Sequence, residues 1–442
     1  MAVSTFTGLQ TALRGLLAQQ RALDVTSHNV ANANTVGYSR QEAVLAASPA
    51  LRIPAGAVQG GGAAELGTGV DVAAYRRIRD QFLDLQYRAQ AMRLGGLAAQ
   101  VRGLEGVEVA LAEPGENGIA AQLGKFWSGW EALANAPENQ ATRQALLESG
   151  VGLAGSIAAL DRQLATASEQ AAAEYESIVA GGGEVGQMAA EIARLNESIR
   201  SSLGSGSTPN DLLDRRDLLL DRLSALAQVS VTDLGDGTIE VEFGDAATPL
   251  VAGTAVSWPQ ALAEPGGKLG ALLEISGPTG TIASYRADLD AFAGELAETV
   301  NAIHASGGGP AFFSFTPGSA ASTLAVAVGA AEVQTSVGPA AGANDIAIAI
   351  GALRGGSADQ AYASFVSRVG TDMSNARRAE QNADALTAAI DARREATAGV
   401  SLDEEMTNLI RFQRAYQASA RAMTSFDEAL DVLVNRTGRV GL

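Results

Sequence analysis

Apolar residues at both ends of the chain recur at alternating steps of three and four. Near the start, Phe6, Leu9, Leu13, Leu16, Gln20, Leu23, Ser27 and Val30 form one stripe, which predicts a helix from Ser4 to about Asn34 with a heptad seam. Near the end, Leu402, Met406, Leu409, Gln413, Tyr416, Ala420, Met423, Leu430 and Val434 repeat the device, and Ile410, Phe412, Phe426 and Leu433 widen it. Each helix needs an apolar partner, and the simplest partner for each is the other. Everything between them is then an insertion into one bundle; two unrelated surface helices are the alternative.

The intervening pattern is mostly helical. The run from Asn29 to Gln41, rich in Asn and ending in Gly37-Tyr38, reads as a helix end turning into an extended segment that Tyr38 could anchor. Residues 41–75 hold Pro49, Pro54 and three consecutive glycines, so they read as loop and short strand. The glycines make no phosphate loop, because no Lys-Ser or Lys-Thr follows them. Helical patterns run from Arg76 to about Ala112, over the aromatic-rich 118–134, and from Ala141 to about Leu203 with a break at Gly181-Gly182-Gly183. Thr208-Pro209-Asn210-Asp211 reads as an N-cap opening a helix to Leu226, whose charges are expected on a solvated face with pairs inside the helix. Strand-like alternation follows at Val229–Asp233, Thr238–Phe243 and Pro249–Val256, with a hairpin turn at Asp236-Gly237. Residues 284–305 return to helix, Phe312–Phe315 and Ile346–Ile350 are β-prone, and 357–397 are helical. Ser401 and Glu404 open the last helix as a capping box.

The expected fold is mainly α with a β-rich insertion (α+β). Three parts are expected: residues 1–35 with 399–442 as a terminal helical core, 36–228 with 283–306 and 352–398 as a split helical body, and 229–282 with 307–351 as an outer β-rich domain.

Composition narrows the chemistry. With no Cys there is no disulfide, thiol nucleophile or thiolate ligand, and the two histidines, His28 and His304, are far apart with no Ser-Asp context for a triad. No cofactor or metal site is expected. A net charge of −18 argues against nucleic acid or an anionic membrane as partner. Arg76, Arg77 and Arg79 are expected in local ion pairs. No stretch reads as a membrane span or signal peptide, and aromatic residues at 5% suit long thin helices.

Two stretches carry a family resemblance. The run Asn29–Tyr38, with Asn29, Asn32, Thr35, Gly37 and Tyr38, resembles the signature after the first helix of bacterial flagellar axial proteins, the rod, hook and hook-associated proteins. Ser39-Arg40-Gln41 is similar to the hook-associated branch rather than rod or hook protein. Val400–Ile410 with Phe412–Ala418 is similar to the closing helix of the same family, and Gly67–Gln86, Asn210–Val231 and Gly267–Glu274 extend the likeness. The chain is compact for that family, which implies a reduced outermost domain.

The resemblance implies a structural subunit, not an enzyme, exported by the flagellar type III apparatus and assembled outside the cell at the hook–filament junction. It implies as partners further copies of the chain in a ring or tube, hook protein, a second hook-associated junction protein and an export chaperone on the C-terminal helix. It places Phe6–Val30 and Leu402–Val434 in the axial core. The readings kept beside it are another axial protein (hook or distal rod), a secreted adhesin or effector, and a carboxylate-based hydrolase.

Overall fold

The computed structural model describes residues 6–53, 63–116, 118–338 and 340–436. The first helix, α1 (Thr7–Asn32), leads into a long two-stranded ribbon. Strand β1 (Gln41–Ala47) pairs antiparallel with β4 (Val70–Arg77), and the ribbon continues as β2 (Leu51–Ile53) with β3 (Ala64–Leu66). It lies along α1: Gly69 sits against Thr11 and Arg14, and Gln41 against Asn29.

Five helices follow: α2 (Gln81–Leu111), α3 (Ile119–Asn135), α4 (Gln140–Val179), α5 (Glu184–Gly204) and α6 (Asn210–Leu226). The three glycines at 181–183 separate α4 from α5 as the sequence predicts. The start of α6 differs from expectation: Pro209 is the cap residue and makes no side-chain capping bond.

Strands β5 (Val229–Asp233), β6 (Ile239–Phe243), β7 (Val251–Ala252) and β8 (Ala255–Val256) form one antiparallel sheet in sequence order. Ile239, Val241 and Phe243 face the core. The strand expected over 249–256 is instead two, folded at Gly253, whose φ of +61° suits glycine. Helix α7 (Gly267–Ser276) packs on α2 and α4, and α8 (Thr281–His304) on α4 and α11, the long helix described next.

After β9 (Phe313–Ser314), α9 (Ala320–Thr323) and β10 (Ala325–Val326), residues 346–350 fall in α10 (Asp345–Gly351), not in a strand. Ile346, Ala347 and Ile350 point into the core from one side, a spacing only a helix gives. Two long helices close the chain: α11 (Ser357–Ala398) and α12 (Leu402–Asp431).

One continuous apolar core runs from Val101 to Ala376 and involves neither α1 nor α12. Its densest part is aromatic: Trp130 packs on Phe312 at 5.2 Å between ring centres, and Phe126 on Phe313 at 5.5 Å. The β5–β8 sheet packs on α5 and α6, whereas residues 313–351 pack on α3, α4 and α8, so the two segments expected to share an outer domain lie against different helices. We propose that the terminal pair α1–α12 is one part and that both β segments belong to the body.

Helix α2 crosses the end of α6 closely enough that a Cβ on Gly95 would lie 2.1 Å from the Ala225 carbonyl oxygen, whereas Gly106 on the same helix faces open space. Gly95→Ala is expected to destabilise the fold by about 1–3 kcal/mol through overpacking, and Gly106→Ala to stabilise it by up to about 1 kcal/mol through helix propensity. Urea denaturation of the two variants checks the opposite signs.

Candidate assembly site: the terminal helix pair and its neck

Helices α1 and α12 pack antiparallel: Gly8 lies opposite Phe426, Gly15 opposite Ser419 and Asn29 opposite Glu405. The face that α1 buries is made of small residues, Ala12, Ala18, Ala22 and Thr26, ending in Asn29. A Cβ on Gly8 would lie 2.5 Å from the Phe426 ring, so a larger residue there would have to push that ring aside.

The residues assigned to the seam divide into two sets. Leu9, Leu16, Leu23 and Val30, and on α12 Leu409, Tyr416, Met423 and Leu430, are half-buried. Each set is spaced by seven and flanks the small-residue contact. Phe6, Leu13, Leu402 and Met406 are exposed, as are Leu17 and Ile410. The periodicity finds both series, but it cannot say which of two interleaved series faces the partner helix.

At the neck, where the pair meets the body, Asn29 uses its whole amide. Its Oδ1 accepts from the Tyr38 hydroxyl (2.7 Å) and the Gln41 N–H (3.0 Å). Its Nδ2 donates to the Gln41 carbonyl (2.9 Å) and to Glu405 Oε2 (3.1 Å). Four parts of the chain, α1, the 33–40 loop, β1 and α12, therefore meet on one buried side chain. Glu405 is itself buried; Arg40 Nε lies 2.8 Å from its Oε1, out of line for a hydrogen bond, so that contact is an ion pair. Burial, with Asp211, Asp214 and Glu405 nearby, raises the pKa of Tyr38 and keeps its hydroxyl a donor.

The other motif residues support this knot. Asn32 donates to the His28 carbonyl and accepts from Thr35 Oγ1, closing the helix end. Gly37, at φ +81°, lets the loop turn against Leu218. Ser401 caps α12 through the Glu404 N–H, but the Glu404 carboxylate turns to Arg40 at 2.7 Å instead of completing a capping box.

Beneath the knot lies a closed ring of alternating charges. Asp217 pairs with Arg79 (3.3 Å), Arg79 with Asp84 (2.6 Å), and Asp84 with Arg394 (3.0 Å). Arg394 then pairs with Asp221 (2.7 Å), Asp221 with Arg88 (2.8 Å), and Arg88 with Asp217 (3.5 Å). Arg77 joins Asp217 to Asp214, and Asp214 accepts from the Ser39 N–H at 2.9 Å. The ring binds α2, α6 and α11 to the loop below α1. These charges are not the solvated face with internal pairs that the sequence suggests. A signal existed: Asp211, Asp214, Asp217 and Asp221 follow one another at steps of three and four, a like-charge ladder that a helix sustains only with cations from elsewhere. Burial opposes ionisation of Asp217, yet Arg79, Arg77 and Arg88 outweigh it and hold its carboxyl below the usual range.

A cleft of about 1010 Å³ opens beside the ring, lined by the 33–40 loop, Tyr87, Leu218 and Ala398. The two histidines serve separate places. His28 contacts Asp211 at the neck (3.3 Å), whereas His304 is buried in the core. There His304 donates from Nδ1 to the Pro310 carbonyl (2.8 Å) and accepts at Nε2 from the Gln334 N–H (2.9 Å). Among the described residues no group of three His, Asp or Glu is placed to hold a metal ion, and no helix is long and apolar enough to cross a membrane.

A thin helix pair that leaves an apolar face uncovered, locked at one end to a helical body, is the arrangement of a structural assembly subunit. Residues 104–261 match the family model for the helical domain of the flagellar hook-associated protein FlgK. Residues 9–38 match that for flagella basal body rod protein, and residues 395–436 that for the C-terminal region of basal body rod FlgEFG proteins. Flagellar hook-associated protein 1 of Bacillus subtilis is 30% identical over 508 residues of alignment, covering 98% of this chain and 99% of the relative. That of Salmonella typhimurium is 30% identical over 246 residues, 55% of this chain and 42% of the relative. A solved structure of the flagellar hook junction protein FlgK from Burkholderia pseudomallei aligns at a TM-score of 0.45 and 25% identity over 52% of this chain and 46% of that one. The chain belongs to the flagellar hook-associated protein 1 family, structural proteins of the bacterial flagellum.

Two acid-sensitive windows are expected in urea denaturation. Burial lowers the pKa of His304 from its ordinary 6.5, so the stability held by its neutral form is complete above that pH and declines as pH falls below it. Asp217 is held below its ordinary 3.8, so its contribution is complete above that value and is lost as pH falls through the lowered one. His304→Gln is expected to flatten the first window and Asp217→Asn the second. At neutral pH Asp217→Ala takes one carboxylate partner from each of Arg77, Arg79 and Arg88, and is expected to cost about 3–5 kcal/mol.

Proposed function

We propose that the paired terminal helices build the axial core of a ring or short tube of copies between hook and filament, outside the cell. The single observation that carries this is outward apolar surface: Leu13 and Leu17 on α1, and Leu402, Met406 and Ile410 on α12, stay exposed after the two helices have closed on each other. Exposed apolar residues at both ends of a closed helix pair are contact surfaces awaiting a partner. The half-buried series, Leu9, Leu16, Leu23 and Val30 with Leu409, Tyr416, Met423 and Leu430, holds the pair together. Hook protein below, a second hook-associated junction protein above and an export chaperone on α12 are the partners this reading assigns.

The match over 104–261 favours a hook-associated role over hook or rod, whose family models match only the ends of the chain. The reading is structural, with no turnover: the carboxylates at the neck are consumed in ion pairs, and His304 in backbone contacts.

Complementation of a strain lacking the protein tests it. Leu13 is exposed, so Leu13→Asp is expected to change the stability of the isolated chain by no more than about 0.5 kcal/mol. In an assembly it would bury a carboxylate at a cost of several kcal/mol, on the order of 2–7. Filaments should then be lost while secreted protein persists, and Arg14→Glu should retain them. Normal filaments with Leu13→Asp would remove this face from the assembly contact.

A further inference from the structure

Residues 329–344 cross the outer end of the aromatic core as a strap. Of its described residues only Val333 is buried; the others are half-buried or exposed. Polar contacts with backbone fasten it instead. Arg143 donates to the Ala330 and Val333 carbonyls at one end (3.2 and 2.7 Å), and Asn344 donates to the Ala134 carbonyl at the other (2.7 Å). Between these ends His304 holds the strap, accepting from the Gln334 N–H at 2.9 Å. The next residue, Thr335, turns its carbonyl to the Ile346 and Ala347 N–H groups (3.1 and 3.2 Å), which caps the first turn of α10.

The imidazole is fully buried, with the Trp130 and Phe312 ring centres 6.1 and 5.6 Å from its own. Its two nitrogens respond differently to a proton. Nδ1–H donates to the Pro310 carbonyl and keeps that bond whether the ring is neutral or charged. Nε2 has one lone pair, and the Gln334 N–H already uses it. A proton from water takes that lone pair, so two N–H groups would face each other at 2.9 Å.

Among the described residues no carboxylate offsets the charge on the ring. The charged groups on the surrounding elements are engaged elsewhere. Glu131 pairs with Arg354, Glu138 accepts from the Gly342 N–H, Glu332 from that of Gly329 and Asp345 from that of Val337, while Arg143 faces carbonyls. Glu298 on the same helix is exposed, and residues 305–331 carry no charge. Burial accordingly lowers the pKa of His304, with the Pro310 bond opposing it.

We propose that His304 is a proton-operated latch: its neutral form holds the strap to the body, and protonation at Nε2 breaks the bond to Gln334, frees residues 334–338 and uncaps α10. The Gln334 N–H then bonds to water. Arg143 and Asn344 fasten the two ends without titrating, so the opening is local and the body stays folded. The device acts within one subunit and is independent of how copies assemble.

Hydrogen exchange of the purified full-length chain, corrected for the intrinsic effect of pH, reads the latch. Between the ordinary pKa of 6.5 and the lowered one, protection at the Gln334, Val337, Ile346 and Ala347 amides is expected to fall about tenfold per pH unit. Protection across residues 213–226 of α6 should hold steady over that range. His304→Gln takes up no proton, and its four amides are expected to be insensitive. Flat protection at these amides in the native chain, or a fall only in step with α6, overturns the latch. So does an unchanged acid response in His304→Gln.

A crosslink decides the matter even where that variant fails to fold. The chain has no cysteine, and a Cβ on Gly309 would lie 2.6 Å from Gln334 Cγ, so G309C/Q334C brings two sulfurs within bonding reach. Oxidised, this pair is expected to hold the strap shut and abolish the acid response at Ile346 and Ala347; reduced, it should restore it. An undiminished response in the oxidised form overturns the proposal.

Discussion

Asp217, caught between Arg77, Arg79 and Arg88, is the constraint on which the rest of the molecule hangs. Its helix bears a ladder of carboxylates that would repel one another in isolation. Arginines from the end of β4, from α2 and from α11 make that ladder tolerable, and in doing so they fix how the body meets the terminal pair. Removing a partner from such a network costs far more than the network adds over an apolar equivalent, so its main product is specificity of geometry. Asn29 performs the neutral version of the same task a short distance above, where one amide orders four pieces of backbone. A thin helix pair can transmit a load to the body only if this neck is stiff, and both devices resist bending without needing a large core.

The two halves of the structure are stabilised by different physics. The body buries Trp127, Trp130, Phe126, Phe292, Tyr285 and Tyr362 in one core, and at its edge Asp359 accepts from the Trp127 N–H, Asp372 from the Tyr285 hydroxyl and Glu113 from the Tyr362 hydroxyl. The terminal pair fully buries alanines, half-buries one series of large apolar residues and leaves others, among them Leu13, Leu17, Met406 and Ile410, outside. That division is what an assembly protein needs: a subunit that folds through its body and keeps its strongest unspent hydrophobic surface for its neighbours.

Much of this was legible in the chain. The two terminal helices, the break at 181–183, the hairpin at Asp236-Gly237 and the anchoring of the loop by Tyr38 follow from local rules of periodicity, glycine and turn chemistry. What local rules missed was long-range. The choice of Ala12, Ala18 and Ala22 over Leu13 for the inner face depends on the ribbon and α12 both approaching α1, which no window of a dozen residues contains. The strand-like run at Ile346–Ile350 became helix because α3 and α8 offered a groove for one apolar side. The carboxylates of α6 were read as solvated because their arginines lie more than a hundred residues away in sequence, and Asp214 to Arg77 spans 137. Charge pairs inside a helix can be counted from sequence; pairs between segments require the fold.

The antiparallel seating of Gly8 on Phe426 carries a consequence for the order of events in the life of the chain. The partner of α1 follows it by 376 residues where Asn29 meets Glu405, so while these are being made the first helix has nothing to close against, and the body between can already condense around its own core. A chain that stops early, or one whose distal helix is damaged, owns a folded middle but no finished helix pair. The device acts as a check on synthesis: the finished helix pair exists only on a molecule read through α12.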